Sequence, residues 1–216
     1  VDTLANENDG SCSDGDCSLV DAVQTAVSGD TIQFSVTGTI PVTSAIILNK
    51  NLTINGPGAA SLSLSGQTTT RIFQISSSKE ISISGLSIIN GNAMNGGGIS
   101  NEGSLTISDC VFSANTASND GGAIYNTGTL TVNNCTFNTN TAPSAGGGAI
   151  KTTNSPNVTI SNSNFTENSA TWGGALEVMS STATVTGCTF TDNDAVTSGG
   201  AISNDTSGSL TVTNST

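Results

Sequence analysis

Gly121-Gly122-Ala123-Ile124, followed by Phe137-Asn138-Thr139-Asn140-Thr141-Ala142, is one copy of a two-part phrase that recurs through the second half of the chain. Its first part returns as Gly96-Gly97-Gly98-Ile99, Gly147-Gly148-Ala149-Ile150, Gly173-Gly174-Ala175-Leu176 and Gly199-Gly200-Ala201-Ile202. Its second part returns around Phe112 and Asn115, Phe165 and Asn168, and Phe190 and Asn193. The aliphatic positions Ile99, Ile124, Ile150, Leu176 and Ile202 are spaced by 25, 26, 26 and 26 residues. A fixed period of this size marks a solenoid, whose repeats bury their apolar faces only by stacking on neighbours.

Within each period, short alternating runs such as Leu105-Thr106-Ile107, Leu130-Thr131-Val132 and Leu210-Thr211-Val212 read as strands with aliphatics inward and Thr outward. Three short strands in about 25 residues describe one coil of a parallel β-helix, rising about 4.8 Å per coil. The fold class is therefore all-β, a right-handed parallel β-helix. The glycine pair lets the backbone turn a sharp corner without a Cβ clash. Asn115, Asn140, Asn168 and Asn193 are expected to stack as a ladder bonded along the axis.

Upstream, 31–95 has the same texture without the double glycine and reads as less regular coils: Thr31–Phe34, Thr39–Val42, Ala45–Leu48, Leu52–Asn55, Ser61–Ser65, Ile72–Ser76, Ile81–Ser84 and Leu86–Ile89. Residues 1–30 differ and read as an N-terminal cap. Ser18-Leu19-Val20-Asp21 is a capping box that opens a short helix, and Gly29 is placed to end it. Leu19, Val23 and Ala26 on one side suit a lid on an open strand stack. The three segments 1–30, 31–95 and 96–216 form one continuous domain.

The repeat phrases resemble those of bacterial polymorphic outer-membrane proteins and related right-handed β-helix surface proteins. Cys17-Ser18-Leu19-Val20-Asp21-Ala22-Val23, then Gly29-Asp30-Thr31-Ile32-Gln33-Phe34, resembles the Cys-Ser-Leu-Arg-Glu-Ala region of secreted β-helix proteins, with Val20-Asp21 in place of Arg-Glu. The resemblance implies a right-handed helix and an exported protein, often with an adhesive or structural role; it does not imply a catalytic mechanism.

A net charge of −12 with only 4 basic residues argues against nucleic acid, because a phosphate-neutralising stripe needs more cations. The same charge repels an anionic membrane, and no apolar run is long enough to span a bilayer, so direct membrane insertion is not expected. Cys12 and Cys17 lie in one Gly/Ser/Asp loop where a disulfide is geometrically easy, and such a bridge favours an oxidising compartment. Cys110, Cys135 and Cys188 each stand two residues before a repeat Phe and are read as buried thiols.

The sequence contains no histidine, which removes Ser-His and Cys-His nucleophilic sites and the commonest general base. The outward column after the repeat aliphatic reads Ser100, Tyr125, Lys151, Glu177 and Ser203. Lys151 and Glu177 are expected to form an exposed pair on adjacent coils. Tyr125 and Trp172 are candidates to stack on sugar rings, although Trp172 is more simply a shield over a coil corner. Asp192 and Asp194 read as turn residues. Glu7, Asp9, Asp14 and Asp16 read as an acidic turn lacking calcium-loop spacing. No metal or other cofactor is expected.

The resulting expectation is a non-enzymatic, extracellular or cell-surface β-helix module. Its partners would be further repeats of a longer parent chain, other copies of itself in a head-to-tail filament, or surface carbohydrate. A carbohydrate-active enzyme is the rival from another class, and an ice or mineral binder using the Thr columns is a third reading.

Overall fold

The computed structural model describes residues 1–13, 15–205 and 207–216. They form one helix, α1 (Leu19–Thr25), and four parallel sheets, three of them running along the stack and a fourth confined to 92–198. Ser18 caps α1: its hydroxyl accepts from the Asp21 N–H at 3.1 Å and lies 2.7 Å from Asp21 Oδ2. Gly29 does not cap the helix. The chain leaves helical geometry at Ala26, and Gly29 makes the following turn at φ 100°. The C-terminal carbonyls are met instead by Lys50, whose ammonium donates to Val23, Gln24 and Ala26 at 3.2, 2.7 and 2.6 Å. A cation there satisfies orphan carbonyls and the helix dipole together. Leu19 and Val23 join the interior, so α1 closes one end of the stack.

Alternating patterns place the strands. The eight-stranded sheet runs from Thr31–Gln33 through Leu52–Asn55, Glu80–Ser84, Ser104–Ser108, Thr129–Asn133, Val158–Ser161 and Thr182–Thr186 to Ser209–Thr213. Ile107, Val132, Ile160 and Val185 point inward and are fully buried. A second sheet carries the repeat aliphatics: Ile99, Ile124, Ile150 and Leu176 are paired in register and fully buried. The third carries the Phe column. Phe112, Phe137, Phe165 and Phe190 stack with ring centroids 4.8 Å apart and planes within 9°. That spacing is the rise of one coil.

Beyond three strands per coil, the structure adds a fourth short one after the ladder asparagine: Asn92–Ala93, Thr116–Ala117, Thr141–Gly146, Ser169–Trp172 and Asp194–Ser198. Its alternation is too brief to read as a strand in sequence, and its register slips between Ala142 and Gly146.

Each regular coil turns at left-handed residues. One precedes the ladder asparagine (Ala114, Thr139, Glu167 and Asp192, φ 52–54°), and another is the first repeat glycine, such as Gly121 at φ 64°. The second glycine answers a different constraint. A methyl at Gly148 would overlap the Gly174 carbonyl in the next coil, so the coils stack at this corner only without side chains.

The ladder asparagines are fully buried up to Asn168. Asn115 Nδ2 donates to Asn140 Oδ1 at 3.0 Å, Asn140 to Asn168 and Asn168 to Asn193 at 2.9 Å. Each side-chain oxygen also accepts the backbone N–H of the preceding ladder residue. Asn140→Ala removes the acceptor of two Asn115 donors at once, and each orphaned buried group costs about 1–3 kcal/mol. The expected outcome is a loss of about 3 kcal/mol in urea unfolding, against less than about 0.5 kcal/mol for the outward Thr131→Ala.

Candidate functional site

The corner between the second and fourth sheets gathers three charged side chains, Asp120, Lys151 and Glu177. The second sheet sends Tyr125, Lys151 and Glu177 outward from successive coils in direct register. The fourth sheet and its turn supply Asp120, Gly146 and Trp172 beside them. Lys151 Nζ touches Glu177 Oε2 and lies 3.7 Å from Asp120 Oδ1. Asp120 is itself held by two donors, Gly146 N–H to Oδ1 at 3.2 Å and Asn119 Nδ2 to Oδ2 at 3.0 Å.

The pair is not on the surface. Lys151 is 4% exposed and Glu177 5%, which corrects the expectation of a solvated ion pair. The reason is Gly146. A methyl there would overlap the Glu177 carboxylate, so the missing side chain opens the slot that the carboxyl fills. The fourth strand, invisible in the sequence pattern, walls that slot. Burial pushes the Glu177 carboxyl above its ordinary 4.5, against the opposing pull of Lys151. Tyr125 is half-buried next to Asp120, and burial raises its phenol as well. Trp172 stays 39% exposed, paired with Gly146 on one side and Ser198 on the other. The structure thus brings Lys151 and Glu177 together and adds Asp120, which sequence reasoning missed. Its signal was its place directly before Gly121, at the coil corner.

A second polar ladder was also missed. Asn101 Nδ2 donates to Asn126 Oδ1 at 2.6 Å, and Asn126 Nδ2 reaches Thr152 and Ser155 at 3.2 and 3.1 Å. The signal was the recurring Ile-x-Asn of Ile99–Asn101 and Ile124–Asn126. Arg71 clamps an earlier corner through Asn95 O and Gly96 O at 2.5 and 2.9 Å.

Elsewhere, Cys12 and Cys17 form a disulfide. Cys110, Cys135 and Cys188 are free and buried. Burial pushes the Cys110 thiol up to about 12 and that of Cys135 to about 11, which suppresses the reactive thiolate. Among the described residues, no group of three or more His, Cys, Asp or Glu is placed to hold a metal ion. Glu7 is raised by partial desolvation and by its neighbours Asp16, Asp9 and Asp21. Asp14 lies outside the described residues. Asp192 and Asp194 are exposed, and Asp192 occupies a left-handed turn. A cleft of about 410 Å³ lies between α1 and the Ile46–Leu48 strand, with Val20, Val23 and Ile47 on its walls. Among the described residues, no helix is long and apolar enough to cross a membrane.

The profile of a family described as right-handed beta helix region matches residues 42–216. With the parallel stacking above, this places the chain in the right-handed β-helix family. No curated protein and no solved structure matches it.

Lys151→Met would leave the Glu177 carboxyl buried without its cation. A carboxyl with a raised folded pKa stabilises the fold fully below its unfolded value near 4.5, and that contribution is lost as pH rises through the raised value. The variant is therefore expected to lose about 3–5 kcal/mol at pH 7 and clearly less at pH 4, read by urea unfolding at both values.

Proposed function

We propose that this chain is an exported, non-enzymatic scaffold that adheres through the flat outward face of its eight-stranded sheet. The observation that carries the reading is the column Thr53, Ser82, Thr106, Thr131, Thr159, Thr184 and Thr211, in register from coil to coil. A hydroxyl at every rung, flanked two residues on by Asn55, Ser84, Ser108, Asn133, Ser161 and Thr186, offers repeated donors and acceptors to an extended polyhydroxylated polymer. Weak contacts repeated along a rigid face add through effective concentration.

Export is supported by the Cys12–Cys17 bridge and by a charge of −12 that favours solubility over association. The repeat phrase and the Cys17–Val23 segment, similar to those of surface and secreted β-helix proteins, point the same way. The α1 lid closes one end of the stack and argues against a head-to-tail filament of copies. Cleavage of a polysaccharide is the less favoured alternative, because Lys151 and Glu177 are nearly closed to a polymer.

Co-sedimentation with a panel of insoluble cell-surface and plant polysaccharides tests the proposal. Binding by the wild type is expected to fall at least tenfold in Thr106→Glu/Thr131→Glu/Thr159→Glu, with an unchanged far-UV spectrum. Absence of binding to every polymer and to whole cells overturns the adhesive reading. Release of reducing ends or unsaturated sugars that Glu177→Gln abolishes would replace it with an enzymatic one.

A further inference from the structure

An amine and a carboxyl condense to an amide when they are held in contact, share the proton that makes both neutral, and exclude water. The corner around Lys151 meets all three conditions. Strand register holds Lys151 against Glu177 on the next coil, and Nζ touches Oε2. Both side chains are almost closed to solvent. Burial already shifts the Glu177 carboxyl toward its neutral acid, and the contact with Nζ gives a proton a direct path between the two groups. Groups fixed in such contact act at effective molarities of about 10⁵–10⁸ M, far above the concentration of liquid water that drives hydrolysis.

Asp120 completes the arrangement. It stands on the preceding coil with Oδ1 3.7 Å from Nζ, so Lys151 has a carboxyl on each side. The two are not equivalent. Asp120 is fixed by the Gly146 N–H and the Asn119 amide, whereas among the described residues the one hydrogen-bond partner of the Glu177 carboxyl is Lys151.

We propose that Lys151 and Glu177 close an intramolecular amide cross-link between adjacent coils, with Asp120 carrying the proton. The neutral Lys151 amine attacks Glu177 Cδ and forms the N–C bond. Asp120 takes one proton from the quaternised nitrogen and returns it to the departing hydroxyl. The C–O bond breaks, one water leaves, and Asp120 is regenerated. Amine plus acid gives amide plus water, with no oxidant, metal or nucleotide in the balance. This cross-link is independent of what the outer face binds.

Intact-mass analysis of the purified, denatured full chain provides the test. The expected mass is lower than the sequence mass, after the disulfide is reduced, by one water. Peptide mapping should find the segments around Lys151 and Glu177 joined, with no tryptic cut after Lys151. Lys151→Arg should restore the full sequence mass. Asp120→Asn should leave most of the chain un-cross-linked while the far-UV spectrum is unchanged. A folded wild-type chain at full sequence mass overturns the proposal. So does a water loss that maps to Asp120-Gly121 as a hydroxylamine-labile cyclic imide, and that persists in Lys151→Arg. An Asp120→Asn chain cross-linked as completely as the wild type would overturn the role given to Asp120.

Discussion

A buried amide side chain is tolerated only where each of its donors and acceptors finds a partner, and here the partner is the same residue one coil away. Asn140 receives from Asn115 and gives to Asn168 at about the same distance, while its second N–H reaches the Phe112 carbonyl at 3.0 Å. The arrangement works only if every coil has the same rise and register. It thereby sets the 4.8 Å spacing at which the phenylalanine rings stack and the aliphatic columns close. Apolar columns alone tolerate slippage between similar residues. A chain of buried amides does not, because a shift of one residue orphans polar groups in the interior.

Much of this was legible in the sequence because it repeats. The period, the inward aliphatics, the Phe column, the glycine corner and the helix-opening Ser18 all announce themselves through spacing and residue type. What stayed hidden arises between coils. Lys50 caps a helix more than twenty positions upstream, and no local pattern connects the two. Lys151 and Glu177 were visible as neighbours, but their burial was not. It depends on Gly146, whose role lies in a side chain it lacks, and on a fourth strand too short and slipped to show alternation. Gly29 misled for the opposite reason: the helix ended earlier, where Lys50 could serve its carbonyls.

The charge distribution follows the same logic of place. With four basic residues in the whole chain, two are spent on backbone carbonyls, Lys50 at the helix end and Arg71 at a coil corner, and a third is enclosed with two carboxylates. Little positive charge is left to face solvent. The outer faces are therefore neutral or acidic, and hydroxyl and amide groups dominate whatever recognition they perform.

The paired strands of each coil lie against the coils before and after it, and the amide ladder runs between the same neighbours. Such an object behaves mechanically like a stack of plates and not like a knot. Tension applied to one end would peel it plate by plate, each detached loop lengthening the tether by one period while the remainder stays intact. A fastening between two adjacent plates toward the C-terminal end would interrupt that peeling, turning a graded extension into one that halts there.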